Sequence, residues 1–311
     1  MPMIQTINLT KQYGQLTALA NLNLEIEQGE CFGFIGPNGA GKTTTIKILS
    51  TLLKPTWGEA RIDGLSVGPV NARQVRSVIG YVPDYFGSYD DMVVQEYLEF
   101  FAAAYDIHGD ARKRVIGDVL DLTELGYKID AEVNGLSRGM KQRLSLARVL
   151  LHDPKVLLLD EPASGLDPRA RIEIRELLKE LHRMGKTILI SSHILLELAE
   201  LCSSVGIIEQ GELKFTGTVQ EIMERARAGL VVHVGVASRS DDAAAVLKKL
   251  PCVSQLESEN GTLKVTLDAE LGDASVLAQT LVTSGFKLIR LEEERINLEM
   301  AFMRLTKGLV Q

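Results

Sequence analysis

The chain of 311 residues is poor in aromatics, with one tryptophan, seven tyrosines and eight phenylalanines, and it carries three cysteines. An odd number of widely spaced thiols, Cys31, Cys202 and Cys252, gives neither a disulfide framework nor a metal-ligand spacing. They read as small apolar fillers in a reducing compartment. Positive charge is not in excess either: 34 Lys and Arg face 41 Asp and Glu, a net charge of −7. A nucleic-acid binder presents a basic footprint, so no nucleic-acid partner is expected. Apolar runs fall well short of the roughly 20 residues that span a bilayer. The first residues show no leader pattern, and Ile4 to Leu9 reads as a strand. The expectation is a chain soluble by itself, whose membrane role, if it has one, requires a partner.

Glycine, by contrast, is placed informatively. Gly36, Pro37, Asn38, Gly39, Ala40, Gly41, Lys42 and Thr43 have the phosphate-loop spacing, and Thr44 follows. Glycines let successive backbone N–H groups turn onto one anion. Lys42 can then reach the β/γ-phosphates, and the Thr43 hydroxyl can ligate Mg²⁺. The flanks fit: residues 30–35 read as a buried strand, and Lys42 to Leu52 as an apolar-rich helix. Phosphates would sit at that helix N-terminus, where free N–H groups and the dipole favour negative charge. ATP or GTP binding follows.

Residues 1 to about 30 alternate like antiparallel strands with turns at Gly14 and Gly29, and residues 55–64 read as turn, strand and turn. From Asp84 to about Leu150 the pattern is helical, interrupted at Gly109, Gly126 and Gly135. The apolar runs Val156–Leu159 and Thr187–Ile190 flank a helix with Pro168 near its start and Gly185 past its end. Strands alternating with helices predict an α/β fold with a parallel sheet. After about Glu224 the order is strand, helix, strand, strand, helix, strand, with Asn260–Gly261 as the hairpin turn. That is the βαββαβ, ferredoxin-like arrangement. We expect domains over 1–224 and 225–311, with a short docking helix over Asn297–Thr306.

Val156 to Leu159 ends in Asp160 and Glu161. A carboxylate at that strand end, Asp160, can hold Mg²⁺ beside Thr43. Its neighbour Glu161 can polarise an attacking water. The deciding segment is Leu136–Ser137–Arg138–Gly139–Met140, followed by a helical run to Arg148. Here the sequence resembles the ATPase subunit of ABC transporters, whose signature reads Leu-Ser-Gly-Gly-Gln before such a helix.

The resemblance covers residues 4 to about 220, with the motifs in family order. It implies that Tyr13 stacks on adenine and that Asp84 stands at the Q-loop position. It makes Ser164, Gly165, Leu166 and Asp167 the D-loop, and His193 the switch histidine. The implied fold is a P-loop ATPase core with an antiparallel β subdomain and a helical subdomain over about 84–150. Two such domains would face each other around two ATP molecules, Ser137 and Gly139 of each completing the other's phosphate site. The implied partners are a second copy or a related ATPase subunit, and a polytopic permease at the cytoplasmic face of the membrane. The implied cofactors are ATP and Mg²⁺, and the implied activity is ATP hydrolysis coupled to transport.

Three positions depart from the family pattern. Asp84 replaces Gln, which puts direct Mg²⁺ contact in doubt, and Arg138 and Met140 replace Gly and Gln. Arg138 reads as exposed and solvated, with approach to the γ-phosphate in a dimer as the alternative. These variants resemble bacterial exporters of the type-2 class. A soluble ABC-type ATPase is the rival reading, and it lacks support from tandem halves or basic extensions. The C-terminal domain reads as strengthening dimerisation, with ligand sensing as the alternative. Half of the aromatics lie between Tyr81 and Tyr105, where the resembled fold receives a coupling helix from the permease.

Overall fold

The computed structural model describes residues 2–87, 91–222, 230–259, 262–268, 271 and 273–293. The expected docking helix, the Asn260–Gly261 turn and the 224/225 boundary lie outside these residues. Contacts along the chain separate residues up to Val219 from a second unit that begins at Gln220.

In the first unit, β1 (Ile4–Tyr13) and β2 (Leu16–Ile26) pair antiparallel, with Ile4 opposite Ile26. Buried β3 (Cys31–Ile35) leads through the phosphate loop to α1 (Lys42–Leu49). The helix expected to reach Leu52 stops at Leu49, because Thr51 turns to a φ of 64° and Leu52 is left exposed. β4 (Trp57–Ile62) and β5 (Leu65–Ser66) complete a four-stranded sheet of order β2-β1-β4-β5.

Next come α2 (Ala72–Val78), β6 (Ile79–Val82), α3 (Val94–Ala104), α4 (Gly109–Leu122) and α5 (Arg138–Leu150). Helices α3, α4 and α5 pack on one another. The interruption expected at Gly109 falls between Ala104 and Gly109, where Asp106 and Gly109 take φ values of 59° and 60°.

The chain continues through β7 (Val156–Asp160), α6 (Pro168–Arg183), β8 (Thr187–Ser192), α7 (Leu195–Ala199), β9 (Ser204–Glu209) and β10 (Glu212–Gly217). These build a six-stranded sheet of order β10-β9-β3-β8-β7-β6, parallel from β9 to β6. Its central strands β3, β7 and β8 are buried throughout, as expected of a parallel sheet covered on both faces. Helix α1 packs against β2, β4 and β7, so the phosphate-loop helix lies between the two sheets. Leu9, Leu22, Phe34, Ile46, Leu49 and Leu158 fill the core around it.

In the second unit, β11 (Leu230–Val236), α8 (Ser240–Leu247), β12 (Val253–Glu259), β13 (Thr262–Leu267), α9 (Ala274–Thr283) and β14 (Leu288–Glu293) follow in order. The strands form an antiparallel sheet of order β12-β13-β11-β14, which is the βαββαβ arrangement read from the sequence. Every second residue of β13 is buried, so one face packs. Val234, Leu247, Leu263, Val265, Leu277 and Leu281 form a separate core.

Candidate functional site

The glycines of the phosphate loop have different reasons to be glycine. A Cβ on Gly36 would lie 2.2 Å from the Ile208 carbonyl oxygen of β9. On Gly41, whose φ is 112°, it would lie 2.8 Å from the Ala18 oxygen. Gly39 has open space around it but a φ of 81°. Gly36 and Gly41 therefore need room, and Gly39 and Gly41 need a positive φ. The loop is anchored by hydrogen bonds from Ala40 N–H to Pro37 O at 3.1 Å and from Gly211 N–H to Ala40 O at 2.9 Å. Lys42 is 5% exposed. Its Nζ donates to Gly36 O at 2.6 Å and to Pro37 O at 3.2 Å, and stands 3.3 Å from Glu161 Oε1. The ammonium is thus held by three oxygens at the base of the loop.

Two neighbouring strand ends supply the rest. Asp160 closes β7 and is wholly buried. Ser191 Oγ, on β8, donates to Asp160 Oδ1 at 2.7 Å, while Oδ2 is buried without a hydrogen-bond partner among the described residues. Burial pushes the Asp160 carboxyl above its ordinary pKa. The Ser191 and Thr43 hydroxyls pull it down, and the charges of Asp84 and Glu161 push it up. A carboxylate oxygen without a partner beside a threonine hydroxyl suits a hard, oxygen-seeking cation such as Mg²⁺.

The Ser191 hydroxyl also accepts from Glu161 N–H at 2.9 Å, so one serine fixes both acidic residues. Glu161 takes a φ of 49°, a conformation that non-glycine residues adopt at a cost of roughly 1–3 kcal/mol and mostly at functional sites. Its carboxylate lies between two basic groups: Oε1 at 3.3 Å from Lys42 Nζ, and Oε2 at 2.7 Å from Nδ1 of half-exposed His193.

Lys42, Thr43, Asp84, Asp160, Glu161 and His193 are therefore gathered at one end of the parallel sheet. The other expected residues lie outside this cluster, Ser164 touching it through Glu161. Tyr13, at the end of β1, is half-exposed with Lys11 Nζ 5.1 Å from its ring centroid. Ser137 caps α5, its Oγ accepting from Met140 N–H at 3.3 Å. A Cβ on Gly139 would lie 2.7 Å from Ala170 Cβ, so this glycine lets α5 approach α6. Ser164 N–H donates to Glu161 O at 3.0 Å, Gly165 has a φ of 66°, and Leu166 is buried. Asp167 Oδ1 accepts from the N–H groups of Arg169 and Ala170, both at 3.0 Å, and with Pro168 behind it caps α6.

A family model described as ABC transporter matches residues 19–164. Over 308 residues the chain is 32% identical to the linearmycin resistance ATP-binding protein LnrL of Bacillus subtilis (strain 168), covering 98% of each. It is 36% identical over 299 residues to the Nod factor export ATP-binding protein I of Burkholderia orbicola (strain AU 1054), covering 96% of this chain and 95% of that protein. Among solved structures, the ATP-binding cassette MJ0796, a post-hydrolysis dimer bound to ADP and Pi, matches with a TM-score of 0.63 and 29% identity. That match covers 70% of this chain and 98% of the other. This chain belongs to the ABC transporter ATP-binding proteins.

The ABC subunit is an ATPase that energises a transporter. Two residues around its site escape a reading of the sequence. Ser191 is one serine at the end of an apolar strand; its place immediately before Ser192 and His193 is the available signal. Tyr81 lies close enough to Asp160 and Asp84 that their charges, added to burial, push its hydroxyl up to about 12. Arg143, inside α5, is buried and paired: it donates to Thr123 O at 3.3 Å and lies 3.5 Å from Glu173.

Proposed function

We propose that this ABC subunit powers an exporter, working as a dimer or with a related ATPase subunit beneath a polytopic permease. The observation that carries the hydrolytic reading is the Glu161 carboxylate set between Lys42 and His193, one residue from buried Asp160. Export is supported by the relatives, one of them a Nod factor export protein.

In this reading the loop N–H groups and Lys42 take the β/γ-phosphates. Thr43 and Asp160, with Asp84 nearby, would hold Mg²⁺, which when bound neutralises phosphate charge. Glu161 accepts the proton of the attacking water. His193 keeps Glu161 Oε2 aimed, and Ser191 fixes the backbone of Glu161 and the carboxylate of Asp160. Tyr13 receives the adenine. Ser137 and Gly139 face the nucleotide of the paired subunit, and Ser164, Gly165, Leu166 and Asp167 line the contact between the two. Preorganised dipoles around the developing charge account for most of the acceleration.

Within the first unit, a cleft of about 540 Å³ is lined by Arg73, Arg76, Tyr81, Phe101, Tyr105 and Arg148. Aromatic and arginine side chains are favoured at protein contacts. This cleft is our choice for the permease's coupling helix. No helix among the described residues is long and apolar enough to cross a membrane, which suits peripheral attachment through that partner.

The test is capture from native membranes in mild detergent with ATP, followed by mass spectrometry. A stoichiometric polytopic membrane protein is expected. Recovery only from the soluble fraction, with ribosomes, DNA or no partner, would overturn the transport reading.

A further inference from the structure

Arg138 is a signature residue that the mechanism above leaves unused. It is the first residue of α5, beside the cap Ser137. Its side chain is exposed, yet its head group is not surrounded by solvent. A Cβ built on Gly165 would lie 2.3 Å from one terminal nitrogen of Arg138, 2.5 Å from Cζ and 2.8 Å from the other nitrogen. The guanidinium therefore rests on the bare Cα of Gly165. Among the described residues no ion pair of Arg138 is seen, and its contact with Gly165 is one of shape.

Gly165 belongs to the loop between Glu161 and α6. One end of that loop is tied to Glu161 O through Ser164 N–H at 3.0 Å, and the other caps α6 through Asp167. Arg138 covers the middle. Helices α5 and α6 begin side by side, Gly139 against Ala170, so the arginine needs only its own length to bridge them. We propose that Arg138 is a positioning residue for ATP hydrolysis, holding residues 162–167 in one arrangement against the signature segment of the same chain. This role rests on the ATPase reading above, in which both segments face the nucleotide of the paired subunit. A planar guanidinium can lie flat on a glycine, whereas a lysine ammonium is a compact point charge on a flexible stem.

The experiment measures kcat and KM for ATP in the full chain. The variants are Arg138→Gly, Arg138→Lys, Gly165→Ala and the double Arg138→Gly/Gly165→Ala, compared where their thermal midpoints match the wild type. Misplacement of a reacting group by about 1 Å costs about 10²-fold, so a loosened loop should lower kcat about tenfold in Arg138→Gly with KM nearly unchanged. Arg138→Lys should not restore it. Gly165→Ala should also lose turnover, because its methyl displaces the guanidinium and strains a backbone held at a φ of 66°, and the double variant should be no worse than Gly165→Ala alone. Contacting residues show such non-additivity, and independent ones do not.

A kcat for Arg138→Gly within about twofold of wild type, a change confined to KM, or losses that multiply in the double variant would each overturn the role. Arg138→Gln takes the place of Arg138→Gly if glycine unfolds the helix start. Glu161→Gln in the same assay separates the two readings. If that variant keeps wild-type turnover, the hydrolytic site is misassigned; if it is inactive while Arg138→Gly is normal, only the positioning role fails.

Discussion

His193 Nδ1 lies 2.7 Å from Glu161 Oε2, joining the residue after β8 to the residue after β7. The other oxygen of Glu161 faces Lys42 at 3.3 Å. The proposed base is thereby aimed from both sides. Glu161→Gln keeps the shape and removes proton acceptance, so turnover should fall by about 10²–10⁴-fold, the usual contribution of a positioned base. ATP binding and ATP-driven pairing should persist. Phosphate release and size-exclusion chromatography with ATP measure the two. Near wild-type phosphate release would show that another group takes the proton. His193→Ala should lower turnover less, since it removes aim rather than the base.

Much of this site is legible in the sequence because each residue closes an apolar strand or opens a helix. The phosphate loop, Asp160 with Glu161, and His193 all stand at such junctions. Their meeting is not a local property. It depends on the order β3-β8-β7, which sets Asp160 beside Ser191 in the parallel register. Ser191 gives little warning for the same reason, since its two hydrogen bonds reach the neighbouring strand end. Arg138 reads as solvated because nothing in one helix shows that another begins against it. The close approach of Gly139 to Ala170 is a tertiary fact. The break read at Gly109 is local: Gly109 turns left-handed, as does Asp106 just before it.

Asp160 should cost stability at neutral pH. Burial raises its pKa in the folded chain above the ordinary aspartate value. The folded state then binds the proton more tightly than the unfolded one, so stability falls as pH rises from the ordinary range through the raised value. Asp160→Asn removes the buried charge and should raise the thermal midpoint at neutral pH. The gain should shrink as pH approaches about 4, near the ordinary aspartate pKa, where the native carboxyl is protonated. ATP turnover should be lost in the same variant. Melting curves without nucleotide across that range decide it, and a lower midpoint at neutral pH would mean that the charge is fully compensated.

The loop glycines should separate by mechanism. Gly39→Ala meets no neighbour within 4 Å and is strained only by its φ of 81°, a cost of about 1–2 kcal/mol. Gly36→Ala would drive a methyl to 2.2 Å from the Ile208 carbonyl oxygen, a backbone atom that cannot swing away. It should destabilise more and weaken ATP binding by moving the loop off β9. Denaturant unfolding and ATP titration of both variants give the ranking; equal losses would mean that the loop relieves the Ile208 contact at little cost.

Tyr85 and Phe86 are adjacent but do different work. Tyr85 is 74% exposed, whereas the Phe86 ring lies 5.8 Å from that of fully buried Tyr97. Phe86→Ala should therefore lower stability by opening a gap beside Tyr97, by less than the roughly 3–5 kcal/mol seen for aromatic truncation in cores, because Phe86 is partly exposed. Tyr85→Ala should leave the midpoint within about 0.5 kcal/mol of wild type, as surface changes do. If the permease contact includes exposed Tyr85, Tyr85→Ala should reduce recovery of the membrane partner while basal ATP turnover stays normal. Thermal melts, phosphate release and membrane capture on the two variants separate core from contact. Full capture by Tyr85→Ala would take Tyr85 out of the permease contact.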